Sequence, residues 1–256
     1  MTSQGNTATI NLKFFHYRIS SDLDSHLVAL QSTLRSIKDG TYSSSQMNNI
    51  GIMKMAMLIP DPETLKKKEI NKCFKACVGS LQDFMDSLIG AINMCKSDIR
   101  SSKALSGKEE IEKFLQETQD KFIQDVARNK SLKVKDKLDL LQVTEPTIRK
   151  MVDGYFSTRN SIEHHKSFAD RDVELVYREF KLLAGDMEIK TLPSQGSKNT
   201  GISMGAKDTI RVISKDSLIE ISETEIENVI QSIKIFIATY MTQKAQEIIN
   251  TRALNN

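Results

Sequence analysis

The sequence is poor in the residues that would point to a specialised environment. Its 256 residues contain no tryptophan, three cysteines and four prolines, and aromatic residues make up only 6%. An odd number of cysteines with no paired framework argues against a disulfide scaffold and indicates reduced thiols in a cytoplasmic protein. Cys73 and Cys77 lie four apart on a predicted helix, and no histidine is near them in sequence. We therefore expect them in the core and not at a metal.

The chain also lacks a strong excess of charge and a long apolar run. Its formal charge of +3 is too small to identify a partner, and it neither demands nor excludes RNA. No stretch approaches the ~20 apolar residues of a membrane-spanning helix, and residues 1–10 lack the order of a secretory signal. Hydrophobic residues (39%) and charged residues (27%) are in ordinary proportion for a soluble globular protein. We expect a cytoplasmic protein with no membrane contact.

Apolar residues recur every three or four positions through most of the chain, which predicts a mainly helical fold. The first such pattern runs over residues 23–37, with Ser20 or Ser21 as its cap and Gly40 at its end. Ahead of it, residues 8–14 alternate and predict a short strand. Further helices are predicted over residues 47–59, over 63 to about 100, from a capping box at 106–109, over 134–143, from Pro146, and from a second capping box at 222–225.

The character of the sequence changes after residue 170. Two short strands are predicted over residues 187–192 and 209–214, joined by a loop at 193–201 that is rich in turn-forming residues. The amphipathic final helix follows. The sequence thus predicts a single domain over residues 1–256, a helical bundle with a small β-hairpin before the C-terminal helix.

Residues 158–165, with the sequence TRNSIEHH, combine a permanent cation with an ionisable imidazole. Arg159 offers a planar fork of donors that suits phosphate oxygens. The imidazole of His164 can accept a proton from a hydroxyl or return one to a leaving group. Asn160 is suited to orienting a neighbouring group. Together they support phosphodiester cleavage by the ribose 2′-hydroxyl, a reaction that requires no metal and selects RNA.

Helical geometry places a condition on this chemistry. At ~100° per residue, positions 159 and 164 lie roughly 140° apart around a regular helix. Arg159 shares a face with Glu163, whereas Asn160 shares a face with His164. The arginine and the histidine therefore meet only if the helix breaks between them, or if two copies of the motif face each other across a dimer axis.

The run from Arg159 to His164 resembles the signature of the HEPN superfamily, an arginine followed by a polar residue and, a few positions later, a histidine. The resemblance implies an all-helical bundle and a metal-independent endoribonuclease of the kind found in toxin–antitoxin and phage-defence systems. It also implies a composite cleft made by two protomers, in which Arg159 polarises the phosphate, His164 transfers protons and Asn160 supports the site. His165 has no assigned role.

The same resemblance implies the partners and the extent of the domain. The expected partners are an RNA substrate, a second copy of the chain and an antitoxin or regulatory protein, and no cofactor is expected. The HEPN core would include residues 63–170 and 220–250, with an N-terminal extension at 1–60 and a hairpin insertion at 172–218.

Other patterns leave alternatives open. HEPN-like bundles also serve as non-catalytic modules that bind a protein or a nucleotide, and the long helix at 63–100 and the methionine-rich segment at 47–59 would fit such a role. Asp186, Glu188 and Lys190, with Asp172 upstream, loosely resemble a metal-dependent nuclease, although an exposed strand face is the expected explanation. Residues 66–68, three consecutive lysines, are expected to form a solvated surface in preference to an RNA-binding one.

Overall fold

A bundle of α-helices and one antiparallel hairpin make up the computed structural model of the chain. The structure describes residues 11–42, 61–97, 99, 107–184 and 202–253. Its elements in chain order are α1 (Leu12–Lys38), α2 (Pro62–Lys96), α3 (Lys108–Arg128), α4 (Val134–Leu140), α5 (Pro146–His164), β1 (Val173–Ala184), β2 (Ile202–Ile213), α6 (Glu223–Ser232), a π-helical segment (Ile233–Ile237) and α7 (Ala238–Ala253). The predicted fold, a helical bundle with a hairpin before the C-terminal helix, is confirmed.

Side-chain caps and prolines define where several helices begin. The Asp61 carboxylate accepts hydrogen bonds from the first free amides of α2, and Pro62 occupies the first helical position. Glu145 and Pro146 open α5 in the same way. The predicted capping box at 222–225 forms with both of its hydrogen bonds, so α6 begins where the sequence placed it.

The N-terminal prediction was wrong in its details. Helix α1 begins at Leu12, so the described part of the predicted strand at 8–14 is helical and the cap is Asn11, not Ser20 or Ser21. The apolar residues Leu12, Phe15, Ile19 and Leu23 are buried at helical spacing, and that period outweighs the short alternation. The helix does end as predicted, because Gly40 follows it with a φ of 69°.

Other boundaries also differ from the prediction. Helix α2 ends at Lys96 instead of near residue 100. The N-cap of α3 is Gly107, which makes no side-chain cap bond, and Ser106 of the predicted capping box lies outside the described residues. The predicted helix at 47–59 lies outside the described residues. Within the described residues, no helix is both long enough and apolar enough to cross a lipid bilayer.

Helix α2 is the centre of the core. It packs against α1, α3, α5 and α7, and residues along its length are fully buried. Cys73 and Cys77 belong to this core, as predicted, whereas Cys95 near the end of the helix is exposed. Asp86 of α2 is also buried, where it forms an ion pair with Lys137 of α4. Their side chains are only 2% and 6% exposed.

The hairpin pairs Val173 with Ile213 at its base and Ala184 with Ile202 at its far end. The first predicted strand, at 187–192, lies outside the described residues, and β1 spans residues 173–184, where the sequence patterns predict no strand. The base of β1 is buried against α5 and α6. Gly154 of α5 allows this close approach, since a Cβ there would lie 2.2 Å from the carbonyl oxygen of Glu174.

Helices α6 and α7 form one rod with a π-helical segment between them. The apolar face of the rod packs on the core both before and after that segment, as the periodicity predicted. The apolar residues fully buried along it are Ile226, Val229, Ile230, Ile233, Ile237, Ala238, Met241 and Ala245.

Candidate active site

The motif residues lie on the last turns of α5, which is fixed by its apolar face. Tyr155 of α5 is fully buried, and its ring meets that of Phe74 in α2 edge-to-face, with centroids 6.3 Å apart. Nearer the end of α5, Thr158, Ser161 and Ile162 are also buried. The intervening positions 159, 160, 163 and 164 are consequently directed toward the surface or along the seam between α5 and α2.

Arg159 is held at this seam by two neighbours. Its Nη1 donates a hydrogen bond of 3.0 Å to Gln82 Oε1 of α2, and its Nε donates to Glu163 Oε1 at 3.4 Å. The arginine side chain keeps 24% of its surface exposed. The guanidinium is therefore oriented by the protein while part of its donor surface still faces solvent.

His164 is largely exposed to solvent. Its side chain is 70% exposed, and its Nε2 lies 4.0 Å from Glu163 Oε2. Because Arg159 contacts the other oxygen of the same group, the Glu163 carboxylate stands between the guanidinium and the imidazole. An anionic group thus already occupies the position between the two side chains of interest.

The helix does not break between the two residues. Helix α5 continues through His164, so a break in the helix does not bring the two residues together within one chain. Arg159 and His164 are linked only through Glu163. The side chain of Asn160 is exposed and makes no hydrogen bond to another residue in the part of the chain that the structure describes.

His165 caps the end of α5 and belongs to a different small cluster. Its Nε2 lies 3.8 Å from Asp170 Oδ2, and the buried hydroxyl of Ser161 donates to Asp170 Oδ1 at 3.0 Å. The hydrogen bond from Ser161 lowers the pKa of Asp170 below its ordinary value. His165 therefore faces a carboxylate at the end of the helix.

The chain leaves α5 through a tightly fixed turn. Lys166 and Ser167 both adopt left-handed backbone conformations, with φ of 54° and 68°. The Ser167 carbonyl then accepts a hydrogen bond of 2.7 Å from the amide of Ile219, and Phe168 forms an isolated antiparallel bridge with Leu218. The segment after the motif is consequently bonded to the segment after β2.

The metal-nuclease alternative gains no support. Asp172 accepts a hydrogen bond from the backbone of Lys215, and residues 186–190 lie outside the description. Within the described ranges, no three His, Cys, Asp or Glu side chains form a group that could hold a metal ion.

Two site residues were missed by the sequence analysis. Glu163 has no role in the predicted chemistry, although its position four residues after Arg159 on the same helical face indicates the contact. Gln82 is separated from Arg159 by 77 residues, and no local pattern links the two.

Comparison with known proteins finds no protein family, no curated protein and no solved structure that matches this chain.

Proposed function

We propose that the protein is a metal-independent endoribonuclease of the HEPN type, which cleaves RNA by attack of the ribose 2′-hydroxyl and acts as a toxin or phage-defence effector. The observation that supports this most directly is the contact of Arg159 and His164 with opposite oxygens of the Glu163 carboxylate. The motif thus already holds an anionic group against its cation, with an imidazole nitrogen 4.0 Å away from that group.

In this proposal a substrate phosphate takes the position of the Glu163 carboxylate. Both groups present negatively charged oxygens, and a guanidinium binds either with charge-assisted hydrogen bonds. Arg159 then polarises the phosphate, and His164 accepts the 2′-hydroxyl proton or returns a proton to the leaving oxygen. Gln82 keeps the guanidinium in place through its 3.0 Å hydrogen bond.

The proposed active form is a homodimer. Because α5 is unbroken, Arg159 and His164 of one chain project in directions roughly 140° apart. Asn160 and His164 lie on an exposed helical face, where a second copy of α5 can approach. A two-fold axis beside this face brings the arginine of one protomer toward the histidine of the other.

Cleavage assays test the chemistry. Purified protein is incubated with a broad RNA panel in EDTA, beside Arg159→Ala and His164→Ala variants. We expect the wild type to cleave and each variant to lose about 10²–10⁴-fold in rate, the range for loss of a group that stabilises charge or transfers a proton. Arg128→Ala and His16→Ala, which remove the same side-chain types elsewhere, should cleave normally. Equal cleavage by wild type and both motif variants, or none by any of them, contradicts the proposal.

Mixing the two inactive variants tests the dimer. If each site takes Arg159 from one protomer and His164 from the other, a mixed dimer of Arg159→Ala and His164→Ala contains one intact site. Random exchange should then restore about a quarter of the wild-type rate. No recovery, with subunit exchange shown by mass, would mean that the two residues act within one chain.

A second candidate, a non-catalytic binding module, is favoured by one observation. Arg159 already has two protein partners, Gln82 and Glu163, as a structural arginine would. For such a module, Arg159→Ala should lower the free energy of unfolding, and the RNA panel should stay intact with the wild type.

A further inference from the structure

We propose that a groove beside the motif, the lysine groove, binds the backbone of single-stranded RNA on its way to Arg159. The groove has a volume of about 570 Å³ and lies between the first half of α2 and the turn that follows α5. Lys68 and Lys75 line it from α2, and Lys166 lines it from the turn. The inference rests on the proposed function for the identity of its ligand, but it assigns a separate binding surface.

The charge in the groove is only partly neutralised. Of the other lysines in its wall, Lys67 forms an ion pair of 2.5 Å with Glu220, and Lys72 lies 3.5 Å from Glu69. Lys68, Lys75 and Lys166 have no carboxylate within ion-pair distance among the residues that the structure describes. Three cations without an acidic partner on one concave surface favour a polyanion.

The spacing of its lysines along α2 gives the groove a direction. Lys68, Lys75 and Gln82 are seven residues apart on α2, so they lie almost on one line along the helix, about 10 Å from one to the next. Gln82 is the residue that binds Arg159. A strand that follows the two lysines therefore reaches the motif arginine at the end of the same line.

The apolar edge of the groove favours single-stranded RNA as its ligand and not a duplex. Leu218 lines the groove and is 46% exposed, and its bridge partner Phe168 is 49% exposed. Residues paired across an antiparallel bridge project to the same side, so the phenyl ring lies beside the groove. An exposed aromatic ring next to a basic channel lets an unpaired base stack, whereas the bases of a duplex are already stacked.

Binding of single strands that cannot be cleaved tests this proposal apart from the chemistry. A labelled DNA or 2′-O-methyl RNA oligonucleotide has no attacking hydroxyl, so its affinity is measured by fluorescence anisotropy over a series of salt concentrations. Each lost phosphate contact should reduce the salt slope of the logarithm of affinity by about 0.7 for a single strand. The variant K68Q/K75Q/K166Q should therefore lower that slope by about two.

Matched control variants distinguish the effect of the groove lysines on binding from the effect of the total charge of the protein. The variant K108Q/K113Q/K121Q also removes three charges, but from α3, which packs on the other half of α2 where Ile123 meets Gly90. It should keep the wild-type slope. Phe168→Ala should weaken binding about five- to hundredfold, as loss of one stacked base does, while its salt slope stays unchanged.

The outcomes of these binding and cleavage experiments test the lysine groove independently of the proposed nuclease activity. An absence of binding by the wild type, or equal slopes for the groove and control variants, overturns the lysine groove. Duplex binding that equals single-strand binding and is unaffected by Phe168→Ala overturns it as well. Lysine-dependent binding by a protein that cleaves no RNA supports the groove and refutes the nuclease. Cleavage with unchanged binding in K68Q/K75Q/K166Q refutes the groove and leaves the nuclease in place.

Discussion

Replacing Glu163 by glutamine should strengthen binding of RNA at the motif. In the structure the Glu163 carboxylate is bound to Arg159 at 3.4 Å, so a phosphate must displace it. The two side chains are 24% and 29% exposed and four residues apart on one helix. Such pairs contribute about 0.3–0.5 kcal/mol, so Glu163→Gln should change the free energy of unfolding by no more than about 0.5 kcal/mol.

The expected gain in affinity has two sources. The phosphate no longer competes with an ion pair of about 0.4 kcal/mol. It also no longer faces a carboxylate at a distance of ~4 Å, a repulsion of about 1 kcal/mol between unit charges in water. Together these effects amount to about 1.4 kcal/mol, or roughly a tenfold decrease in Kd at low salt.

Anisotropy with an uncleavable oligonucleotide measures this change. Glu117→Gln is the matched control, because Glu117 also lies four residues from a cation, Lys113, on an exposed helix. It should leave Kd unchanged. In the background of Arg159→Ala, Glu163→Gln should give a smaller gain, since no guanidinium is then released. Unchanged or weaker binding by Glu163→Gln would refute the idea that the carboxylate occupies the phosphate position.

Three further predictions concern the framework of the site. Lys137→Met should lower the free energy of unfolding by about 3–5 kcal/mol in urea, because it leaves the buried Asp86 carboxylate unpaired. Gly154→Ala should cost about 1–3 kcal/mol despite its better helix propensity, since its Cβ would lie 2.2 Å from the Glu174 carbonyl oxygen. Burial disfavours the Glu225 carboxylate, but the hydrogen bonds it accepts outweigh burial and hold the pKa of Glu225 below its ordinary value of 4.5. Its stabilising contribution should be complete above about pH 4.5 and be lost as the pH falls through the lower folded pKa, and Glu225→Gln should flatten that decline in stability.

Each of these three predictions has a matched control variant elsewhere in the chain or in the same ion pair. Adding Asp86→Leu to Lys137→Met should recover most of the loss, because both charges are then gone. Gly79→Ala, where a Cβ meets nothing within 4 Å, should stabilise by up to about 1 kcal/mol. Glu227→Gln, at an exposed position of α6, should keep the wild-type acid dependence. Equal behaviour of test and control variants would contradict the corresponding explanation.

The helices that hold the motif could be predicted because their signals are local. Pro146 opens α5 as expected, and the 222–225 capping box opens α6. Strand β1 was missed because Val173, Leu175, Val176 and Tyr177 are all buried. A strand covered on both faces near its base loses the alternation by which strands are recognised.

The surroundings of the motif could not be predicted, because they depend on contacts between distant parts of the chain. The sequence identified Arg159, Asn160 and His164, but the bond from Arg159 to Gln82 requires α5 and α2 to be packed together. The contacts of the lysine run at 66–68 could not be predicted for the same reason. Lys66 and Lys67 form ion pairs with residues near α6, and only the folded structure distinguishes Lys68 from them.

The π-helical segment at Ile233–Ile237 determines how the C-terminal rod tolerates changes in length. A π-helical turn contains one residue more than an α-helical turn at the same place. Deleting one residue there would yield an ordinary α-helix in which Met241 and Ala245 still face inward. The same deletion after Ala238 would rotate every later residue by about 100° and bring polar side chains inward. Variants of this protein that are one residue shorter in the C-terminal rod are therefore expected to have their deletion at that turn.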